Sequence, residues 1–241
     1  MELLNNKLKK LTGGKILDIG TGWGASAQFL VESFQSFSGL TGIDLSKDNI
    51  AKAYETFANS QDKEKIKFKQ MDACNIEFND SSFDTVSISN TFHHLNNIPT
   101  VLSEMKRVLK PGGLFIFYEM FLDKGSEVEN SYHHIHHWFA DVDQVVGVPH
   151  FHTLTKSEII ELIANLDLKE VEYMVHQNPP IKPNDNPDSI EELIKRCNMF
   201  ADKIRNDPNA GGLIAKSEEY IQMIKKVGIT PDPIISAIGY K

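Results

Sequence analysis

Three glycines fall within one seven-residue run, Asp18-Ile-Gly20-Thr-Gly22-Trp-Gly24. An apolar stretch, Lys15–Ile19, leads into it and a helical pattern follows. Glycines at such a strand-to-helix turn allow tight curvature and close backbone approach to a ligand, and the helix start offers unpaired N–H groups with partial positive charge. Two carboxylates follow at intervals that suit a nucleoside. Asp44, twenty residues beyond Gly24, closes the second apolar run, where a carboxylate accepts hydrogen bonds from ribose hydroxyls. Asp72, after the third run, is placed to meet an exocyclic adenine amine. Each also has a plainer reading: Asp44, with Ser46, precedes a helix and suits its N-cap, and Asp72 suits a turn. The third glycine comes two residues after the second rather than three, which departs from the dinucleotide fingerprint.

Histidine is the second chemical signal. The chain has nine, six of them between His133 and His152. In Tyr132-His-His-Ile-His-His-Trp138, a helix would put His133 and His137 on one face at i,i+4 and bring His134 to His137 at i,i+3. Imidazoles so spaced chelate transition metals. His133, His136, His137 and His152 are the candidate ligands, and His150 belongs to the same His-x-His pair as His152. Glu119, Asp141 and Asp143 are the neighbouring carboxylates. Two other readings compete: one or two histidines act as a general base or hold a substrate, or a polar lid simply uses histidine while Trp138 and Phe139 pack over the ligand. Cys74 and Cys197 are too far apart for a metal or redox pair, so a reducing, cytoplasmic setting is expected.

The elements that must position these groups alternate between apolar runs and amphipathic helical patterns, as in βαβ units on a parallel sheet. Strands are expected at 15–19, 40–44, 66–71, 83–89 and 114–120. Helices are expected at 23–37, 47–59 and 98–109, the last stopped by Lys110-Pro-Gly-Gly113. After Leu122 the rhythm breaks into a polar, histidine-rich insertion, 123–152. Thr155-Lys-Ser-Glu158 is a capping-box signature opening a helix to Leu166. A strand (168–176), a proline-rich connector (178–187), helices at 189–205 and 216–227, and a closing strand (233–240) complete the chain. The reading is a single α/β domain over 1–241: a doubly wound, mostly parallel, seven-stranded sheet with lids after strands five and six, at 123–152 and 178–230. Ligands in such sheets sit at the carboxyl ends of the strands.

Five segments in order, Ile16–Gly24 (ILDIGTGWG), Gly42–Ser46 (GIDLS), Met71–Ala73 (MDA), Phe83–Leu95 (FDTVSISNTFHHL) and Arg107–Phe117 (RVLKPGGLFIF), resemble the class I S-adenosylmethionine (SAM)-dependent methyltransferases. The likeness is to the branch containing the ubiquinone and menaquinone biosynthesis enzymes. It implies a Rossmann-like fold and SAM as the cofactor. Asp18 would orient the methionine amine, directly or through water, with Gly20, Thr21, Gly22 and Gly24 beneath the ligand. Asp44 and Leu45 would lie at the ribose, Met71, Asp72 and Ala73 at the adenine, and Asn90 at the methionine end. An HHL-like sequence at 93–95 is itself a habit of the family. His94, and His133 and His137 of the insertion, which the family pattern does not demand, are the candidates to face the acceptor. The implied activity is methyl transfer to a small-molecule acceptor, aided by a histidine base or a histidine-bound metal. A non-catalytic SAM-binding or metal-responsive protein and an NAD-dependent oxidoreductase are the competing readings.

Composition narrows the partners. Lysine and arginine total 25 against 33 acids, a formal charge of −8, which argues against a nucleic-acid partner. The longest apolar runs, such as Leu114–Tyr118, are strand-sized, so no bilayer span is expected. Met1–Leu11 carries scattered charges and no apolar core segment, so no leader is expected there.

Overall fold

Neighbouring residues of the first strand, such as Ile16 and Leu17, are both fully buried, because helices cover both faces of the sheet. The computed structural model describes residues 2–122 and 131–241. The strands are β1 (Thr12–Ile19), β2 (Ser36–Asp44), β3 (Ile66–Gln70), β4 (Phe83–Ser89), β5 (Leu109–Met120), β6 (Lys169–His176) and β7 (Ile234–Tyr240). They form one sheet in the order β3-β2-β1-β4-β5-β7-β6. The first five pair in parallel, and β7 runs antiparallel between β5 and β6. The chain order reverses between β1 and β4, the place where such a sheet opens a crevice.

Helices α1 (Glu2–Leu8), α2 (Ala25–Ser33) and α3 (Lys47–Thr56) cover one face, where Leu4, Leu30 and Ala53 pack with Ile16, Leu40 and Ile116. Helices α4 (Ile98–Val108) and α6 (Lys156–Ala164) cover the other, burying Val101, Met105, Ile159 and Ile163 against Leu17, Val86 and Phe117. Each such side chain contributes about 1.5–3 kcal/mol when fully buried. Helix starts follow local chemistry. Ser46 accepts from the Asn49 amide and Asn97 from that of Thr100, while Thr155 and Glu158 form the expected reciprocal capping box.

Helix α2 ends at Ser33 rather than Phe37, because Ser36 and Phe37 pair with Thr12 and Gly14 and extend β2 backward. Lys110–Gly113 does not separate helix from strand. It lies inside β5, where the register slips between Phe83–Leu109 and Thr85–Leu114 and Gly112 takes φ +72°.

The first eight residues of the expected 123–152 insertion lie outside the described residues. Its remainder forms α5 (Ser131–Val145), which packs with α7 (Pro187–Lys203) and α8 (Gly211–Val227). Ile135, Trp138, Phe139, Leu193, Cys197, Phe200 and Ile224 form a separate apolar cluster, so the two insertions share one core. Trp138 and Phe139 are spent on that core. The Trp138 indole N–H donates to the Leu213 carbonyl at 2.9 Å, which corrects the expectation that these rings cover the ligand.

Candidate functional site

The turn after β1 takes positive φ at Gly20 (+65°), Gly22 (+55°) and Gly24 (+96°). Gly20 is constrained twice, because a Cβ there would stand 2.3 Å from Thr91 Cγ2. The turn is pinned to the end of β2: the Thr21 amide donates to the Ile43 carbonyl and the Gly22 amide to Asp44 Oδ2, both at 2.9 Å. Asp44 Oδ1 accepts from the Ser46 amide (2.8 Å) and the Asn49 side chain (3.2 Å). Three of the roughly four acceptor directions of this carboxylate therefore hold protein groups, leaving one toward a ligand. The helix cap itself is Ser46.

Two cavities flank this turn at the carboxyl ends of the strands. One, of about 200 Å³, is lined by Gly20, Asp44, Leu45, Met71, Asp72, Ala73, Thr91 and His94. Asp72 is exposed in its wall. Its Oδ1 accepts the Cys74 amide at 2.8 Å, so it is a turn residue as well as a cavity residue. The other, of about 150 Å³, lies where α2 begins and β4 ends, lined by Leu4, Ser26, Ser87, Asn90 and Tyr118 among others. Asn90 adopts φ +45°, a conformation that asparagine tolerates better than most residues.

Asp18 is fully buried and reaches neither cavity directly. Ser26 Oγ donates to its Oδ2 at 2.5 Å and Ser87 Oγ to its Oδ1 at 3.1 Å, and both serines line the smaller cavity. Burial pushes the Asp18 pKa up to about 6, partly opposed by these hydroxyls. A carboxylate held in this way is stabilised by a cation arriving at the serines. The buried Thr21 hydroxyl also stabilises the Asp18 carboxylate but makes no well-formed hydrogen bond, so it keeps hydrogen-bonding capacity beneath the cleft.

The 3-10 turn Phe92–His94 follows β4 and is built around Glu119 of β5. Glu119 Oε2 accepts the Thr91 and Phe92 amides, both at 2.8 Å, and Oε1 meets His93 Nδ1 at 3.0 Å. His94 then stands in the cavity wall with its Nδ1 3.2 Å from the Pro149 carbonyl. Loss of water around the ring, with His93 and His150 beside it, pushes the His94 pKa down to about 4. Burial likewise depresses His136 to about 2 and His137 to about 3, so all three rings are neutral near pH 7.

The expected histidine quartet does not assemble as a unit. His133 and His137 do share a helix face, with ring centroids 3.7 Å apart, and His152 stacks on His137 at 3.9 Å. His137 Nε2, however, accepts the Thr153 amide at 3.1 Å, and His152 pairs with Asp141 at 3.0 Å. His136 turns away from them to His93 and His150. Among the described residues, these three form a group in which one ring nitrogen of each lies within 4.8 Å of the other two. Of His94, His133 and His137, His94 is the one that lines the larger cavity.

Residues 17–117 match the methyltransferase domain family. This segment is what the chain shares with that family. It contains the glycine turn, Asp44, Asp72 and the Thr91–His94 turn, so the larger cavity lies within the matched segment and the smaller on its border. The sterol 4-C-methyltransferase strm-1 of Caenorhabditis elegans is 29% identical over 144 residues, covering 59% of this chain and 41% of that protein. The ubiquinone/menaquinone biosynthesis C-methyltransferase UbiE of Geotalea daltonii is 30% identical over 141 residues, covering 58% and 59% respectively. The chain thus spans about half the length of these relatives. The crystal structure of YcgJ from Bacillus subtilis shares the fold across 100% of this chain and 97% of that one, with a TM-score of 0.66 at 18% identity.

Several site residues escaped the sequence reading. Ser26, Ser87 and Thr91 are common residue types, with no local pattern to mark them. In sequence Glu119 is only a carboxylate upstream of the histidines, whereas the strand order places it beside Thr91. His93 and His150 are fifty-seven residues apart, and only the packing of α5 and the 148–152 segment on the end of β4 unites them.

Proposed function

We propose that this chain is a SAM-dependent methyltransferase acting on a small-molecule acceptor. The observation that carries the reading is the pair of cavities on either side of the glycine turn, with Asp44 and Asp72 in one and Asn90, Ser26 and Ser87 at the other. The residues suit SAM in kind. The donor has no phosphates, so carboxylates and hydroxyls, rather than a row of amides alone, must meet its ribose, adenine and amine. Asp44 and Leu45 hold the ribose edge, and Met71, Asp72 and Ala73 hold the adenine. Asn90 meets the methionine end, and Gly20 to Gly24 form the floor. Asp18 acts through Ser26 and Ser87 as a buried counter-charge to the amine.

When bound, SAM supplies a sulfonium methyl group that is already electrophilic. The protein's task is alignment, which contributes up to about 7–11 kcal/mol in favourable intramolecular reactions. An acceptor that must lose a proton needs a base, and neutral His94 is the imidazole in the cavity wall able to take one. Small-molecule acceptors are supported by the relatives, which are named for sterol and quinone substrates, and by the acidic balance of the chain. No described helix is long and apolar enough to cross a membrane. A reducing, cytoplasmic setting, read from the two distant cysteines of the sequence, goes with this proposal.

Trp23, exposed inside the glycine turn, is the probe for this reading. Its fluorescence should change saturably with S-adenosylhomocysteine and not with NAD, and Trp23→Phe should abolish the change while buried Trp138 still emits. A response to NAD alone would overturn the proposal.

A pH dependence follows from Asp18. Its pKa in the ligand-free protein is about 6, against 3.8 in an ordinary setting. Between those values the folded state holds more protons than the unfolded one, so ionising Asp18 costs stability as pH rises toward 6. A bound amine favours the carboxylate, so affinity should rise with pH and level off above about 7. Calorimetric titration of S-adenosylhomocysteine between about pH 5 and 8 checks this. Asp18→Asn should flatten the profile, weaken binding by roughly ten-fold and raise the melting temperature of the ligand-free protein by several degrees. An unchanged pH profile in that variant would remove Asp18 from the account.

A further inference from the structure

We propose that His93, His136 and His150 form a binding site for one divalent transition-metal ion of the zinc class. The three side chains come from separate pieces of the fold: the turn after β4, helix α5 and the segment that follows it. All three are buried, with 6%, 3% and 2% of their surface exposed. One ring nitrogen of each lies within 4.8 Å of the other two, and Nε2 of His136 is 3.4 Å from Nε2 of His150. Two nitrogens bound tetrahedrally at the usual zinc–imidazole distance stand about 3.3 Å apart.

The outer contacts fix which nitrogens face inward. His93 Nδ1 lies 3.0 Å from Glu119 Oε1, and His150 Nδ1 lies 2.9 Å from Asp143 Oδ2. A ring N–H given to a carboxylate leaves the Nε2 lone pair free as a ligand, the arrangement that orients histidines in metal sites, and the His150 Nε2 faces His136. Glu119 is itself held by two backbone amides, and Asp143 by Lys203 Nζ at 2.7 Å, so both supports are fixed. His136 completes the argument. Its Nδ1 is buried without a partner, so the ring is not locked by an outer hydrogen bond. A proton on Nδ1 leaves two Nε2 lone pairs facing each other at 3.4 Å. A proton on Nε2 serves one contact and leaves Nδ1 an unpaired buried acceptor. A cation among the three Nε2 atoms removes the first conflict.

Three nitrogen ligands leave at least one coordination position for water or an exogenous donor, as in reactive rather than closed structural zinc sites. The site adjoins the cofactor cleft. His94 lines the larger cavity, and its ring centroid is 4.4 Å from that of His150. An ion here would also tie α5 to the end of β4.

The test uses the full-length, tag-free protein, stripped with a chelator and titrated with Co²⁺. One equivalent should bind with the visible bands of four-coordinate cobalt, and Zn²⁺ should displace it. His136→Gln and His150→Gln should each weaken binding at least a hundred-fold, and Asp143→Asn ten- to hundred-fold. His137→Ala/His152→Ala should leave it unchanged, and circular dichroism should show every variant folded. Absence of stoichiometric cobalt in the folded protein would overturn the site. So would retention of binding in both His→Gln variants, or its loss in the His137/His152 variant. S-adenosylhomocysteine binding, measured separately on the stripped protein, reports on the methyltransferase reading alone.

Discussion

Asp44→Ala should weaken S-adenosylhomocysteine binding by about a hundred- to a thousand-fold while the protein stays folded. Two losses combine. The ribose loses its carboxylate acceptor, and the glycine turn loses the bond from the Gly22 amide to Asp44 Oδ2 at 2.9 Å that sets its height above the cleft. Hydrogen bonds to a charged partner contribute about 1.5–3 kcal/mol each, and about 1.4 kcal/mol is a factor of ten in affinity. The same carboxylate also supports the start of α3 through Ser46 and Asn49, so a control must separate the two roles. Ser46→Ala removes the helix cap, with an expected cost of about 1 kcal/mol in stability and no more than a few-fold change in affinity. Calorimetric titration and thermal melts of both variants make the comparison. Equal affinity loss in the two would mean that Asp44 serves the helix and not the ligand.

Gly20→Ala should lower the melting temperature by about 10 °C and abolish cofactor binding. The alanine would have to adopt φ +65° and place a Cβ 2.3 Å from Thr91 Cγ2 and 2.4 Å from Thr91 Oγ1. Left-handed backbone strain costs on the order of 1–3 kcal/mol, and overpacking a further 1–3. The second term also displaces Thr91, whose amide is held by Glu119 and which leads directly into His93 and His94. Gly22→Ala isolates the first term, because nothing lies within 4 Å of its Cβ, and should cost only about 1 kcal/mol. Adding Thr91→Ala to Gly20→Ala removes the two shortest contacts and should recover part of the loss. No recovery would place the whole effect in the backbone.

Local order in this chain is written locally. The strand at Phe83–Ser89 has the limits its residues predict, and the Thr155–Glu158 box opens its helix because both of its hydrogen bonds lie within four residues. The misread elements are those decided by a distant partner. Phe34–Phe37 continues a helical pattern, yet pairing with Thr12–Lys15 draws Ser36 onward into β2. Lys110–Gly113 has the composition of a stop, yet β4 pairs with β5 on both sides of it and Lys241 exchanges backbone hydrogen bonds with Gly112 and Gly113. The cleft follows the same division. Gly20, Asp44 and Asp72 are legible because each stands at or just past the end of a strand of a parallel sheet, whereas Ser26, Ser87 and Thr91 matter only through what the folded strands set beside them. Helical spacing paired His133 with His137 correctly. It held no information about His136, whose partners come from a turn forty-three residues earlier and a segment fourteen residues later. It also could not reveal that α5 shares a core with α7 and α8, which draws Trp138 and Phe139 away from the ligand.

The central claim is that the cleft beside the glycine turn holds SAM, and a calorimetric titration of the intact protein with S-adenosylhomocysteine and, separately, with NAD tests it most directly. The account predicts one-to-one binding of S-adenosylhomocysteine, lost in Asp44→Ala and stronger above pH 6 than below it, with no heat from NAD. Binding of NAD without S-adenosylhomocysteine, or S-adenosylhomocysteine binding indifferent to Asp44, would contradict it.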